Sequence, residues 1–72
     1  MNDVLDARGL RCPLPVLKLE KRVDTLAAGA TLIVLATDPI AKIDIPLYCT
    51  QHDLVCSLET EGETLRFTIV RR

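Results

Sequence analysis

Aromatic side chains are nearly missing from this chain of 72 residues, which has one Phe, one Tyr and no Trp. So few rings exclude a platform on which nucleotide bases stack. Charge of one sign is missing too. Nine Lys and Arg stand against ten Asp and Glu, a formal net charge of −1, which offers no general attraction for nucleic acid or an anionic membrane. Leu32 to Ala36 is the longest strongly apolar run, far short of the roughly 20 residues that span a bilayer. Met1-Asn2-Asp3 lacks the basic and apolar regions of a signal peptide. Cysteine is scarce and odd in number, three in all. At least one thiol is therefore unpaired in a monomer, and a secreted disulfide framework is not expected. The expected compartment is a reducing cytoplasm, with no direct nucleic-acid partner and no membrane.

What is present suits a single domain, 1–72. The hydrophobic share of 49% argues for a compact globule and against disorder. The length allows a modest core and leaves nothing for a second lobe around a deep cleft.

The chain is organised around Gly9-Leu10-Arg11-Cys12-Pro13-Leu14-Pro15. Proline is tolerated in the first helical turn, where its missing N–H has no intrahelical acceptor to lose. Pro13 and Pro15 therefore read as helix-opening residues, which puts Cys12 at or just before the N-cap. Unpaired N–H groups and the positive end of the helix dipole favour a thiolate there, and Arg11 adds a fixed positive charge. The expectation is an exposed nucleophilic sulfur with a lowered pKa. Against it stands the ordinary role of a free cysteine as a small buried hydrophobe.

A short extended segment, Val4-Leu5-Asp6, leads into the Arg8-Gly9 turn. Val16, Leu19, Val23 and Leu26 then recur at helical spacing, with Leu17 and Ala27 widening the stripe. They predict a helix over 13–28, closed by Gly29 at C′. Thr31 to Ala36 reads as a central strand. Asp38-Pro39 opens a second helix, with Asp38 as N-cap. Pro46 argues for a break, with a first turn over 39–43 and a fresh start capped by Asp44. Leu54, Cys56 and Leu58 alternate as in a strand, Glu61-Gly62-Glu63 turns, and Leu65, Phe67 and Ile69 alternate again. The order β-α-β-α-β-β predicts a two-layer α/β sandwich. Right-handed crossovers put both helices on one face of a mixed four-stranded sheet, its first three strands parallel and its last antiparallel. The other face is left open, a candidate contact surface.

Leu10-Arg11-Cys12-Pro13-x-Pro15-Val16, preceded by Leu5-Asp6-Ala7-x-Gly9, resembles the signature of the TusA/SirA/YedF family of small sulfur carriers. Thr37-Asp38-Pro39 and Asp44-Ile45-Pro46-x-Tyr48-Cys49 are similar to that family's second motif region, and the Gly62 hairpin fits too. The resemblance spans nearly the whole chain. It implies strand order 1-2-4-3 and a persulfide carried on Cys12, in the manner of a sulfurtransferase. The donor it implies is a cysteine desulfurase or rhodanese-like protein, and the recipient is a sulfur-acceptor protein. No metal or organic cofactor is required, because the cargo is covalent. Many members have Glu between the two prolines, where this chain has Leu14. The resemblance thus carries the sulfur-relay role and leaves open thiolated tRNA, molybdenum cofactor, oxidised sulfur and selenium compounds as end products.

The remaining candidates each have a plain structural account. Cys49, His52 and Cys56 have the spacing C-x2-H-x3-C. A structural zinc site would need a fourth ligand, and core packing for the two thiols with a solvent-exposed His52 is the simpler expectation. Asp38 is expected near Cys12, as a cap rather than an acid catalyst. Lys18, Lys21 and Arg22 either form a solvated helix face or steer an acidic partner toward Cys12. No His accompanies Cys12 in a motif, which disfavours cysteine-protease chemistry. The alternative to a sulfur carrier is a non-catalytic regulatory or protein-interaction module that uses the open sheet face.

Overall fold

The computed structural model describes residues 3–72, in the element order β1 (Asp3–Ala7), α1 (Leu14–Val23), β2 (Thr31–Ala36), α2 (Ala41–Gln51), β3 (Leu54–Glu61) and β4 (Thr64–Arg71). The strands form one sheet in the order β1-β2-β4-β3. β1 and β2 are parallel, with Ala7 beside Ala36 at their C-terminal ends. β4 runs antiparallel to both β2 and β3, so β3 shares the direction of β1 and β2. The fold is the expected α/β sandwich, with the expected topology.

Alternation decides what each strand buries. Leu5, Leu32, Val34, Leu65, Phe67 and Ile69 turn toward the helices and form the core with Leu19, Val23, Ile45 and Cys49. Val4 and Val55 lie exposed on the strands' alternate positions. The open face is less bare than expected, since Ile33 there is buried and Leu35 half-buried. Gly62 turns β3 into β4 with a φ of 60°, the sign that the first position of a type II′ hairpin requires and that glycine adopts without penalty.

Both helices depart from the expected bounds. α1 ends at Val23, five residues before Ala28, where Thr25 and Leu26 donate three residues back to the Arg22 and Val23 carbonyls and the α-helical ladder stops. Arg71 at the end of β4 donates Nη1 to the Val23 carbonyl at 2.7 Å and to the Leu26 carbonyl at 2.8 Å. Gly29 does have a positive φ, 83°. It serves a separate turn, where its N–H meets the Arg71 carbonyl at 2.6 Å. Leu26 still joins the core, whereas Leu17 and Ala27 are exposed and do not widen the stripe.

α2 is one continuous helix with Pro46 inside it, so the expected break and the fresh cap at Asp44 are corrected. Proline at this place forgoes the bond to the Lys42 carbonyl. Lys42 is exposed, and water can serve that carbonyl instead. Asp44 lies in the first turn, and its side chain is free for another use.

Candidate functional site

The loops that follow two adjacent parallel strands lie side by side, at the sheet end where α/β folds gather ligands. The loop after β1 is pinned at each step. Arg8 donates to Asp6 through its backbone N–H at 3.1 Å, Nε at 2.9 Å and Nη2 at 2.8 Å. Gly9, at φ 80°, donates its N–H to Thr37 Oγ1 at 2.9 Å. Cys12 donates its N–H to Asp38 Oδ2 at 2.7 Å. Leu14 closes the turn by donating to the Arg11 carbonyl at 2.8 Å. Residues 37 and 38, just beyond β2, thus hold the cysteine loop in place.

Cys12 sits two positions before α1, whose N-cap is Pro13 and whose first turn contains Pro15. The helix-opening reading of the two prolines therefore holds. Cys12 is exposed, Cys49 is buried and Cys56 lies between these extremes. A depression of about 450 Å³ lies beside Cys12, lined by Gly9, Arg11, Thr37, Asp38 and Ile40 among others. A second, of about 200 Å³, runs between the helices past Pro13, Asp44 and Tyr48. Leu14 and Leu17 on α1, Ile40 just before α2, and Ile43 and Leu47 on α2 are all at least 46% exposed. Of these, Ile40 lines the depression beside the thiol.

The electrostatics at the sulfur reverse the expectation of a thiolate. Sγ lies 2.6 Å from Asp44 Oδ2 and donates its proton there. That hydrogen bond, partial burial and the negative charges of Asp44 and Asp38 push the Cys12 thiol above the ordinary value for cysteine. A carboxylate in contact outweighs the partial charge of the helix terminus, because it places a full charge at hydrogen-bonding distance. Arg11 acts on another group. Its charge assists the backbone N–H groups of Cys12 and Ile40 in holding the Asp38 carboxyl below the usual carboxylate range.

Asp38 is therefore brought to Cys12 as expected. It also accepts the Ile40 N–H at 3.0 Å through Oδ1, in the turn that leads into α2. Asp44 is the member of the site that residue spacing failed to supply. It had been assigned to a helix cap; the one available signal was its place in the second motif region. Lys18 and Lys21 are exposed along α1, where with Leu14 and Leu17 they line a surface groove. Arg22 is drawn away, 3.5 Å from Asp3 at the start of β1 and thus at the opposite end of the sheet from Cys12.

Cys49 and Cys56 are beside one another between α2 and β3, and this contact together with burial pushes the Cys49 thiol up. His52 is exposed and stacks on Tyr48, with ring centroids 4.2 Å apart. No three His, Cys, Asp or Glu side chains come together as a metal site among the described residues. Among the described residues no helix is long and apolar enough to cross a membrane.

Fold and site together define a small α/β sandwich that presents an exposed cysteine at a helix opening. The sequence profile described as Sulfurtransferase TusA matches residues 3–71, and the chain belongs to that family. Among solved structures, the SirA-like protein from Desulfitobacterium hafniense superposes with a TM-score of 0.85 at 26% sequence identity. The match covers 97% of this chain and 96% of the other. Family and fold support a general sulfur-carrier or sulfurtransferase role.

Proposed function

We propose that Cys12 carries sulfur as a persulfide and relays it from a donor protein to an acceptor thiol. The observation that carries this reading is the placement of Cys12, the exposed thiol of the three, on a loop held from both sides at a helix opening. In loading, Cys12 Sγ bonds to the outer sulfur of a donor persulfide R–S–SH and the donor's S–S bond breaks. Cys12–SH and R–S–SH become Cys12–S–SH and R–SH, with no net oxidation. Discharge repeats the exchange with an acceptor thiol attacking the outer sulfur, by the nucleophile and leaving-group logic of thiol–disulfide exchange.

The donor that fits is a cysteine desulfurase or a rhodanese-like protein in the cytoplasm, and the acceptor is a protein thiol further along the relay, thiolated tRNA being one such end point. Lys18 and Lys21 join the docking surface, while Arg11, Pro13, Pro15 and Asp38 support the thiol. No cofactor enters the exchange. Intact-mass analysis after incubation with a persulfide donor tests the reading. A gain of one sulfur, lost in Cys12→Ser, is the expected result. No adduct under conditions that load another carrier would favour an interaction module instead.

A further inference from the structure

Asp44 projects from the first turn of α2 toward a sulfur 32 positions away in sequence, and its Oδ2 meets Cys12 Sγ at 2.6 Å. Among the described residues no cation lies within ion-pairing distance of it. The other charged or titratable groups facing this pair are Asp38 from the loop before α2, Arg11 on the cysteine's own loop, and Tyr48 one turn along α2. The thiol is thus held by a carboxylate whose only side-chain hydrogen bond among the described residues is to it.

At rest the proton belongs to sulfur, since a thiol is a far stronger base than a carboxylate. That order reverses during attack. As the sulfur lone pair enters a new S–S bond, the attached proton becomes strongly acidic, and a carboxylate already in contact receives it. We propose that Asp44 is a catalytic residue of sulfur transfer, accepting the Cys12 thiol proton as Sγ bonds to the donor's outer sulfur and passing it to the departing thiolate. The inference rests on Cys12 being the sulfur-bearing residue. In loading, the S–H bond of Cys12 and the S–S bond of the donor break, while a Cys12–S bond and the donor's S–H bond form. The carboxylate ends as it began. In discharge the proton moves from acceptor thiol to Asp44 to Cys12. Between partners the same contact keeps the thiol neutral and slow toward stray electrophiles, in keeping with its raised pKa.

Asp44→Asn keeps the shape and removes the base, and two rates on the full chain then diverge. Alkylation of Cys12 by iodoacetamide proceeds through the thiolate, so it becomes faster at pH 7 as the neighbouring charge is lost. Loading from glutathione persulfide becomes slower, by about 100-fold, and the wild-type advantage shrinks as pH rises and thiolate replaces the shuttle. Asp44→Glu recovers part of the loading rate. Wild-type loading also slows in heavy water, a readout that needs no variant. Loading in Asp44→Asn that equals or exceeds the wild-type rate overturns the shuttle alone. A wild-type protein that never gains sulfur on Cys12 overturns the carrier reading and the shuttle together.

Discussion

Asp38 holds the backbone of Cys12 across 26 positions of sequence, accepting its N–H at 2.7 Å. The same carboxylate accepts the Ile40 N–H, so one side chain ties the loop after β1 to the entry of α2. Both bonds hold its carboxyl below the usual range. A carboxyl depressed in the folded state stabilises fully above its unfolded value of about 3.9, and that stabilisation is lost as pH falls through the folded value. Asp38→Asn is expected to unfold at a lower urea concentration at pH 7. The difference from wild type should narrow as pH drops below about 4. Urea titrations at pH 7 and pH 3 check this, and a difference that stays constant would mean the charge is immaterial.

Cys12 has the opposite dependence. Its raised pKa means that the folded chain binds the thiol proton more tightly than the unfolded chain does. The resulting stabilisation is complete below the unfolded value of about 8.5 and is lost as pH rises through the folded value. Wild type should therefore lose more stability than Cys12→Ser on going from neutral pH into the alkaline range. Cys49 and Cys56 are the same in both proteins, so the comparison isolates Cys12. Parallel declines would show that the contact with Asp44 does not persist in solution.

Much of this architecture was legible because local signals agreed with the fold. Alternation in Leu65, Phe67 and Ile69, the helical stripe through Leu19 and Val23, and the Pro13 and Pro15 opening each point to the element observed. The misreadings around Cys12 share one cause, a partner remote in sequence. Nothing near Val23 announces that Arg71 will donate to its carbonyl from 48 positions away. Nothing near Asp44 announces that its carboxylate belongs to Cys12 rather than to its own helix. The thiolate expectation failed for the same reason. It counted the charges adjacent in the chain, Arg11 and the helix start, and the deciding charges come from the loop and helix after β2.

The two interior thiols are separable by stability. Cys49 is 1% exposed and packs in the core, while Cys56 lies at the partly open edge. Cys49→Ser puts a hydroxyl where an apolar atom was, at an expected cost of about 1–3 kcal/mol. Cys56→Ser should cost less because its edge position admits water. Urea unfolding of the two variants in reductant gives the ranking directly, and the reverse order would place the buried thiol on β3.

Docking is the remaining question that the surface answers in charge and shape. Leu14 and Leu17 are each 46% exposed on the turns of α1 nearest Cys12, and Lys18 and Lys21 border the groove they form. Leu14 is also the position where the family resemblance leads one to expect Glu. Glu20 and Asp24 line the same groove, so its apolar floor has both signs of charge around it, and the two lysines are the part that an acidic group on a partner would meet. Exposed charges of this sort set the rate and salt dependence of association more than the chemistry that follows. Lys18→Glu with Lys21→Glu should therefore slow sulfur loading from a protein donor, most at low ionic strength, with the effect fading as salt is added. Loading from glutathione persulfide should remain within about twofold of wild type, because exposed surface substitutions leave Cys12, Asp38 and Asp44 undisturbed. Arg22 is left unchanged in this test because it lies against Asp3 at the far end of the helix. An equal loss with both donors would locate the effect at the thiol or in the fold, and no loss with either would return the two lysines to solvent.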